Sequence, residues 1–207
     1  MLIGMVAARL AVRPSIATLV LVFFAYSLLG FIMECIVLSI EKKRLVIDRG
    51  FCIHLPFCII YGFGALIGYA VLSPLKDTWL PLFLVGAIGA TAFEYLVARM
   101  QMRLFGDFWW DYANKPFNYK GILCLESTAG WGIIALFIIK FLHGAVVRTV
   151  SQIPAGPATL LAMALVLAYA LDFTFSARVA RRKARAEEVL PADAEMGGVQ
   201  IPGEMNK

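Results

Sequence analysis

Five runs of mainly apolar residues, at 15–40, 51–73, 80–99, 121–142 and 156–176, limit what this chain can fold into. Each is about 20 residues or longer, enough for a helix to cross the hydrocarbon layer with every backbone N–H and C=O satisfied inside the segment. The composition agrees: 61% of the 207 residues are hydrophobic and 16% are charged, against roughly half and one quarter in soluble domains. The expected fold is all-α, a polytopic membrane protein with about five transmembrane helices in 1–185 and a disordered cytoplasmic tail at 186–207. The tail is expected because Glu187, Glu188, Pro191, Asp193, Glu195, Gly197, Gly198, Pro202 and Gly203 crowd a segment with few large apolar residues.

The first run follows Arg9 and Arg13 as a signal peptide would, but it is longer than a signal h-region and lacks an A-x-A cleavage site, so it is expected to stay attached. Pro74 and Pro81 mark the second connection, and Pro154 and Pro157 precede the fifth run. Basic residues set the orientation, because Lys and Arg in short loops are retained on the cytoplasmic side. Lys42, Lys43, Arg44 and Arg49 fall on the same side as Arg99, Arg103, Lys115 and Lys120, and as Arg178, Arg181, Arg182, Lys183, Arg185 and Lys207. Against them stand Arg9, Arg13, Lys76, Lys140 and Arg148, so five spans place the N-terminus outside and the C-terminus inside.

The net charge of +5 sits next to apolar segments, which suits anionic lipid headgroups and argues against nucleic acid. Cys35, Cys52, Cys58 and Cys124 lack the pairing of a zinc site or a disulfide framework and read as buried small hydrophobes. His54 between Cys52 and Cys58 is too sparse a set for a metal, so neither a metal nor a cofactor is expected.

The order of landmarks repeats. Gly30, Glu34, a basic loop, Gly50, Cys52 and Tyr61-Gly-Phe-Gly-Ala-Leu have counterparts in Gly89, Glu94, a basic loop, Gly121, Cys124 and Gly130-Trp-Gly-Ile-Ile-Ala-Leu. A duplication of this kind would be a parallel two-helix repeat about an axis along the membrane normal. Loop lengths differ and glycine is common in membrane helices, which leaves coincidence open.

Acidic residues inside spans are the main functional suspects, since an ionised side chain at the centre of an inserted helix costs roughly 2.5–3.5 kcal/mol. Glu34, Glu94, Asp172 and Glu126 should lie at comparable depth in the cytoplasmic third. They could bind a cation, relay protons or hold Arg49 and Lys120, or each could reach interfacial water or a nearby Arg, as Asp172 could reach Arg178. The loop 105–120 is dense in aromatic residues, with Trp110 and Tyr112 among them, and carries Asp111, Asn114 and Asn118. It is either an aromatic belt at the headgroups or a rim that holds a polar group between rings. Arg49 has the planar fork that matches a phosphate or carboxylate. Pro56 predicts an unwound or re-entrant start to the second span, and Gly64 and Gly68, spaced as GxxxG, predict close helix packing.

Gly30-Phe-Ile-Met-Glu34, Asp48-Arg49-Gly50-Phe51, Pro56 with Ile60-Tyr-Gly-Phe-Gly64, Phe93-Glu94-Tyr95, Trp110-Asp111-Tyr112, Pro116-Phe-Asn118 and Gly121 together resemble the bacterial membrane family catalogued as putative ABC-transporter type IV, also described as putative ABC transporter permeases. The family pattern has Asn where this chain has Asp48. The resemblance covers about 30–132 and implies transport by a multi-pass protein of the bacterial cytoplasmic membrane. No GxxxxGK[ST] loop is present, so a separate ATPase subunit would supply ATP hydrolysis. Five helices are few for a complete solute path, which argues for a homo-oligomer or a larger assembly. The expected substrate-binding set is Glu34, Arg49, Tyr61, Glu94, Trp110, Asp111, Tyr112, Asn118 and Glu126. Two alternatives stand beside a permease: an intramembrane enzyme acting on a lipid-linked substrate, with a glutamate base and Arg49 stabilising negative charge, and a non-catalytic membrane subunit. No nucleophile–base pair or metal triad stands out, which weighs against the enzyme.

Overall fold

The computed structural model describes residues 15–47, 51–106, 108 and 110–189. Every regular element among them is helical. Helix α1 spans Ile16–Glu41 and begins where the Ser15 hydroxyl caps the N–H of Thr18 at 3.1 Å. Helix α2 spans Ile59–Leu72 and tightens into a 3-10 turn at Ser73–Leu75. Helix α3 spans Leu80–Phe105 and stops at Gly106, whose φ of 79° is the left-handed C-terminal stop that glycine adopts without strain. Helix α4 spans Leu125–Ser151 and contains a π turn at Ile138–Leu142; helix α5 spans Ala155–Val189.

Four helices, α1, α3, α4 and α5, are long and apolar enough to cross a membrane, while Ile59–Leu75 is a shorter apolar helix. This revises the second run. Its first residues, 51–58, are not helical, because Pro56 has no N–H and disfavours helix in the residue before it. The helix starts only at Ile59. The other helices keep the expected places but run on: α3 to 105, α4 from 125 to 151, and α5 through 186–189, the start of the expected tail. The remainder of that tail, from 190, lies outside the described residues.

Helices α1 and α2 form one antiparallel hairpin, α3 and α4 a second, and α5 packs on α1. Glycine sets the closeness of both hairpins. A Cβ on Gly62 would meet the Phe23 ring at 2.7 Å, and one on Gly132 would meet the Phe83 ring at 2.5 Å. Small residues at such crossings let membrane helices approach where water provides no hydrophobic drive. One core joins Leu21, Val22 and Tyr26 of α1 to Ala65 of α2, Val150 of α4, and Ala158 and Ala162 of α5. A second joins Leu72, Leu82 and Ala135. The outer surface carries large exposed apolar side chains such as Ile36, Leu96, Phe141 and Leu160, as a lipid-facing surface should.

The irregular segment 51–58 draws its backbone partners from α5. Asp172 accepts the N–H of His54 at 3.2 Å and of Leu55 at 2.7 Å, and its other oxygen meets His54 Nδ1 at 2.8 Å. Ser176 accepts the N–H of Ile53 at 3.1 Å, and the N–H of Cys58 donates to the Ser27 carbonyl of α1 at 3.0 Å. Both α5 side chains are buried. Non-helical backbone lacks the ladder of a helix, so its N–H groups need such partners. Asp172 therefore meets His54 and this backbone where the sequence suggested Arg178, a neighbour on its own helix.

Candidate functional site

Glu34 and Tyr61 meet because Gly30, one turn before the glutamate, has no side chain. A Cβ on Gly30 would overlap the Tyr61 ring; without one, the ring lies against α1 and its hydroxyl donates to Glu34 Oε1. Tyr61 sits in the first turn of α2, so the late start of that helix places this hydroxyl opposite the glutamate.

In the second hairpin Glu94 is 7% exposed and is held from two elements. Tyr112, from the connection before α4, donates to Oε1 at 3.1 Å, and Ser127, in the first turn of α4, donates to Oε2 at 3.2 Å. Thr91 and Thr128 join α3 to α4 at 3.0 Å nearby. Burial, and then the Glu94 charge beside it, push the Tyr112 phenol well above its ordinary pKa, so it remains a donor. The indole Nε1 of Trp131 is buried and meets no acceptor at hydrogen-bonding geometry among the described residues, and its ring stands in the same cavity wall as Glu94.

Both carboxylates line one cavity of about 360 Å³. Of the residues expected to bind substrate, Glu34, Tyr61, Glu94, Trp110 and Tyr112 lie in its wall. Trp110 is fixed there by its indole N–H, which donates to the Ile122 carbonyl at 2.9 Å. The cavity continues from this acidic end along α2 and α3, past Gly64, Gly68, Gly86 and Gly89. A Cβ on Gly68 or on Gly89 would meet nothing within 4 Å, and one on Gly64 only the Phe93 ring at 3.5 Å. The Gly64–Gly68 pair thus borders open space rather than a tight helix crossing. Close contact falls to Gly62, Gly86 and Gly132 instead.

The other expected residues lie elsewhere. Asp111 caps the N–H of Ala113 at 2.8 Å in a tight turn. Asn118 donates to the carbonyls of Ala113 and Lys115 at 3.0 and 2.9 Å and accepts the N–H of Gly121 at 3.2 Å, so it clasps the loop. Glu126 is exposed and pairs with Lys115 at 3.0 Å, which raises the Lys115 pKa through that hydrogen bond and the opposite charge. It does not join the other carboxylates, because it stands one residue before Ser127 in the first turn of α4, about 100° around the helix, and is not in the cavity wall. Arg49 lies outside the described residues. The ring of four acids thus resolves into a facing pair, Glu34 and Glu94, with Asp172 and Glu126 in other places.

The sequence reading missed Trp131, Ser127 and Glu41. Trp131 was within reach, since it occupies the place of Tyr61 in the paired Tyr61-Gly and Trp131-Gly steps. Glu41 gave no signal apart from an ordinary helix end.

A family model described as "Putative ABC-transporter type IV" matches residues 21–177. That range covers most of the chain and all the residues of the cavity, and the chain belongs to that family. It is a multi-pass membrane protein of a transport-related family. No curated protein and no solved structure matches it.

Proposed function

We propose, with membership of that family as the premise, that the chain is the permease-like membrane component of a transport system, and that the cavity between its two hairpins is where the transported molecule is held. The observation that carries this reading is the convergence of Glu34 and Glu94, from separate helices, on one cavity bordered by Tyr61, Tyr112 and Trp110. Carboxylates at membrane depth are costly unless something uses them. In this reading α2 and the segment before it make the fifth crossing, the N-terminus is outside, and the acidic end of the cavity lies near the cytoplasmic face of the bacterial inner membrane.

A parallel repeat of the two hairpins belongs to the same proposal. It is supported by matched contacts: Phe23 on Gly62 and Phe83 on Gly132, Glu34 beside Tyr61 and Glu94 beside Trp131. ATP hydrolysis would come from a separate subunit, and a second copy of the chain would complete the path.

The test uses a strain that lacks the gene, complemented with the wild-type chain or with Glu34→Gln or Glu94→Gln at matched membrane levels. Uptake and release of a panel of labelled solutes are then followed in membrane vesicles. At least one flux should change on deletion, return with the wild type and fail to return with either variant. A flux restored equally by all three chains would remove the site.

A further inference from the structure

The C-terminal end of α3 bears two parallel rows of side chains, each repeating every four residues. One row is Tyr95, Arg99 and Arg103; the other is Leu96, Met100 and Leu104. Together these six residues line a groove, and all but Tyr95 are exposed. It shares no residue with the cavity between the hairpins.

Like charges four residues apart on a helix repel each other. Nothing relieves the repulsion here: among the described residues Arg99 and Arg103 make no ion pair and no hydrogen bond, and no Asp or Glu lines the groove. Glu94, next in the chain to Tyr95, is engaged on the other side with Tyr112 and Ser127. A third cation adds to the charge. The Tyr95 ring lies 6.4 Å from that of Tyr119, and Lys120 Nζ stands 5.5 Å from the Tyr119 ring centre, with no acid paired to it among the described residues.

Two arginine forks one turn apart can grip a single phosphate from both sides, since the oxygens of a phosphate match the planar guanidinium. A free anion would use that row and leave the apolar row in water. A phospholipid uses both. A zwitterionic headgroup would bring its own cation against Arg103 or Lys120, so the complementary headgroup is net negative.

We propose that this groove binds one anionic phospholipid, with its phosphodiester between Arg99 and Arg103 and an acyl chain along Leu96 and Met100. The length of α3 supports the placement. Its 26 residues measure about 39 Å, against about 30 Å for the hydrocarbon layer. At its start Lys140 Nζ lies 4.4 Å over the Trp79 ring, an aromatic and basic pair suited to one headgroup level, and Arg99 and Arg103 follow about 28 and 34 Å further along, at the other. The site does not depend on what the cavity between the hairpins holds.

The test takes the full chain, stripped of lipid in detergent, and counts bound lipids by native mass spectrometry as dioleoyl phosphatidylglycerol or dioleoyl phosphatidylcholine is added. One phosphatidylglycerol should bind at least about tenfold more tightly than phosphatidylcholine, the scale of one hydrogen bond to a charged group. Arg99→Gln with Arg103→Gln should abolish the preference. Arg181→Gln with Arg182→Gln, which removes as many exposed charges from α5, should leave it unchanged. Neither inorganic phosphate nor glycerophosphoglycerol, the headgroup without its chains, should displace the lipid at equal concentration. Thermal unfolding confirms that each variant is folded, and either single arginine variant, expected to weaken the preference, serves if the double one does not fold. Equal binding of the two lipids, or equal losses in the α3 and α5 variants, overturns the site. Displacement by phosphate or by the bare headgroup overturns the lipid as its occupant.

Discussion

The two hairpins present a glutamate to the same cavity but are braced differently. In α1–α2, Glu34 takes a hydrogen bond from within its own hairpin, and the irregular entry to α2 is held by Asp172 and Ser176 of α5, far away in the sequence. In α3–α4, Glu94 is held by Tyr112 and Ser127, and the entry to α4 closes on itself through Asp111, Asn118 and Trp110. A similar acid position is thus reached once through long-range packing and once through local turn chemistry. The entry to α2 depends on α5; the entry to α4 does not.

The largest expected effect tests that asymmetry. Asp172→Ala removes the buried carboxylate that holds two part-buried backbone N–H groups and the His54 ring, and should destabilise the protein by about 3 kcal/mol. Asn118→Ala also removes three hydrogen bonds, but at an exposed loop where water replaces them, and should cost about 1 kcal/mol. Denaturant titration of the purified protein measures both, and the reverse order would break the comparison. The next effect tests the likeness of the hairpins. Gly62→Ala and Gly132→Ala each drive a methyl into a phenylalanine ring and should each cost about 1–3 kcal/mol, while Gly68→Ala, beside open space, should be neutral or slightly stabilising. Unequal losses at Gly62 and Gly132 would mean that the two crossings are not equivalent. The smallest effect is at the exposed Lys115–Glu126 pair, where Glu126→Gln should barely change stability, and less still in high salt.

The helices were legible in the sequence because lipid permits few alternatives to a long apolar run: four of the five expected spans correspond to helices long enough to cross a membrane, and the second to a shorter apolar helix. Their ends were less so. Apolar composition continues through 51–58, so only Pro56 marked the late start of α2, and no local signal showed that the segment would lean on a helix more than a hundred residues away. Glu34, Tyr61, Glu94, Trp110 and Tyr112 could be named in advance, because buried acids and clustered aromatics stand out by type. Which acid faced which neighbour could not be named. Glu94 and Glu126 are alike as residues in apolar runs, and only the angular position of each around its helix sends one to the cavity and the other to Lys115. Gly64 and Gly68 were misread for the same reason, since a glycine that admits a neighbouring helix and one that leaves a gap are identical in sequence.

The strap that precedes α2 has a mechanical consequence. Because the N–H groups of residues 53–55 are buckled to two side chains instead of to carbonyls of a continuing helix, their fastening uses none of the backbone hydrogen bonds within α1, α2 or α5. The strap's hold on α5 is thus a clasp of side chains, separate from the backbone ladders that keep the helical frame.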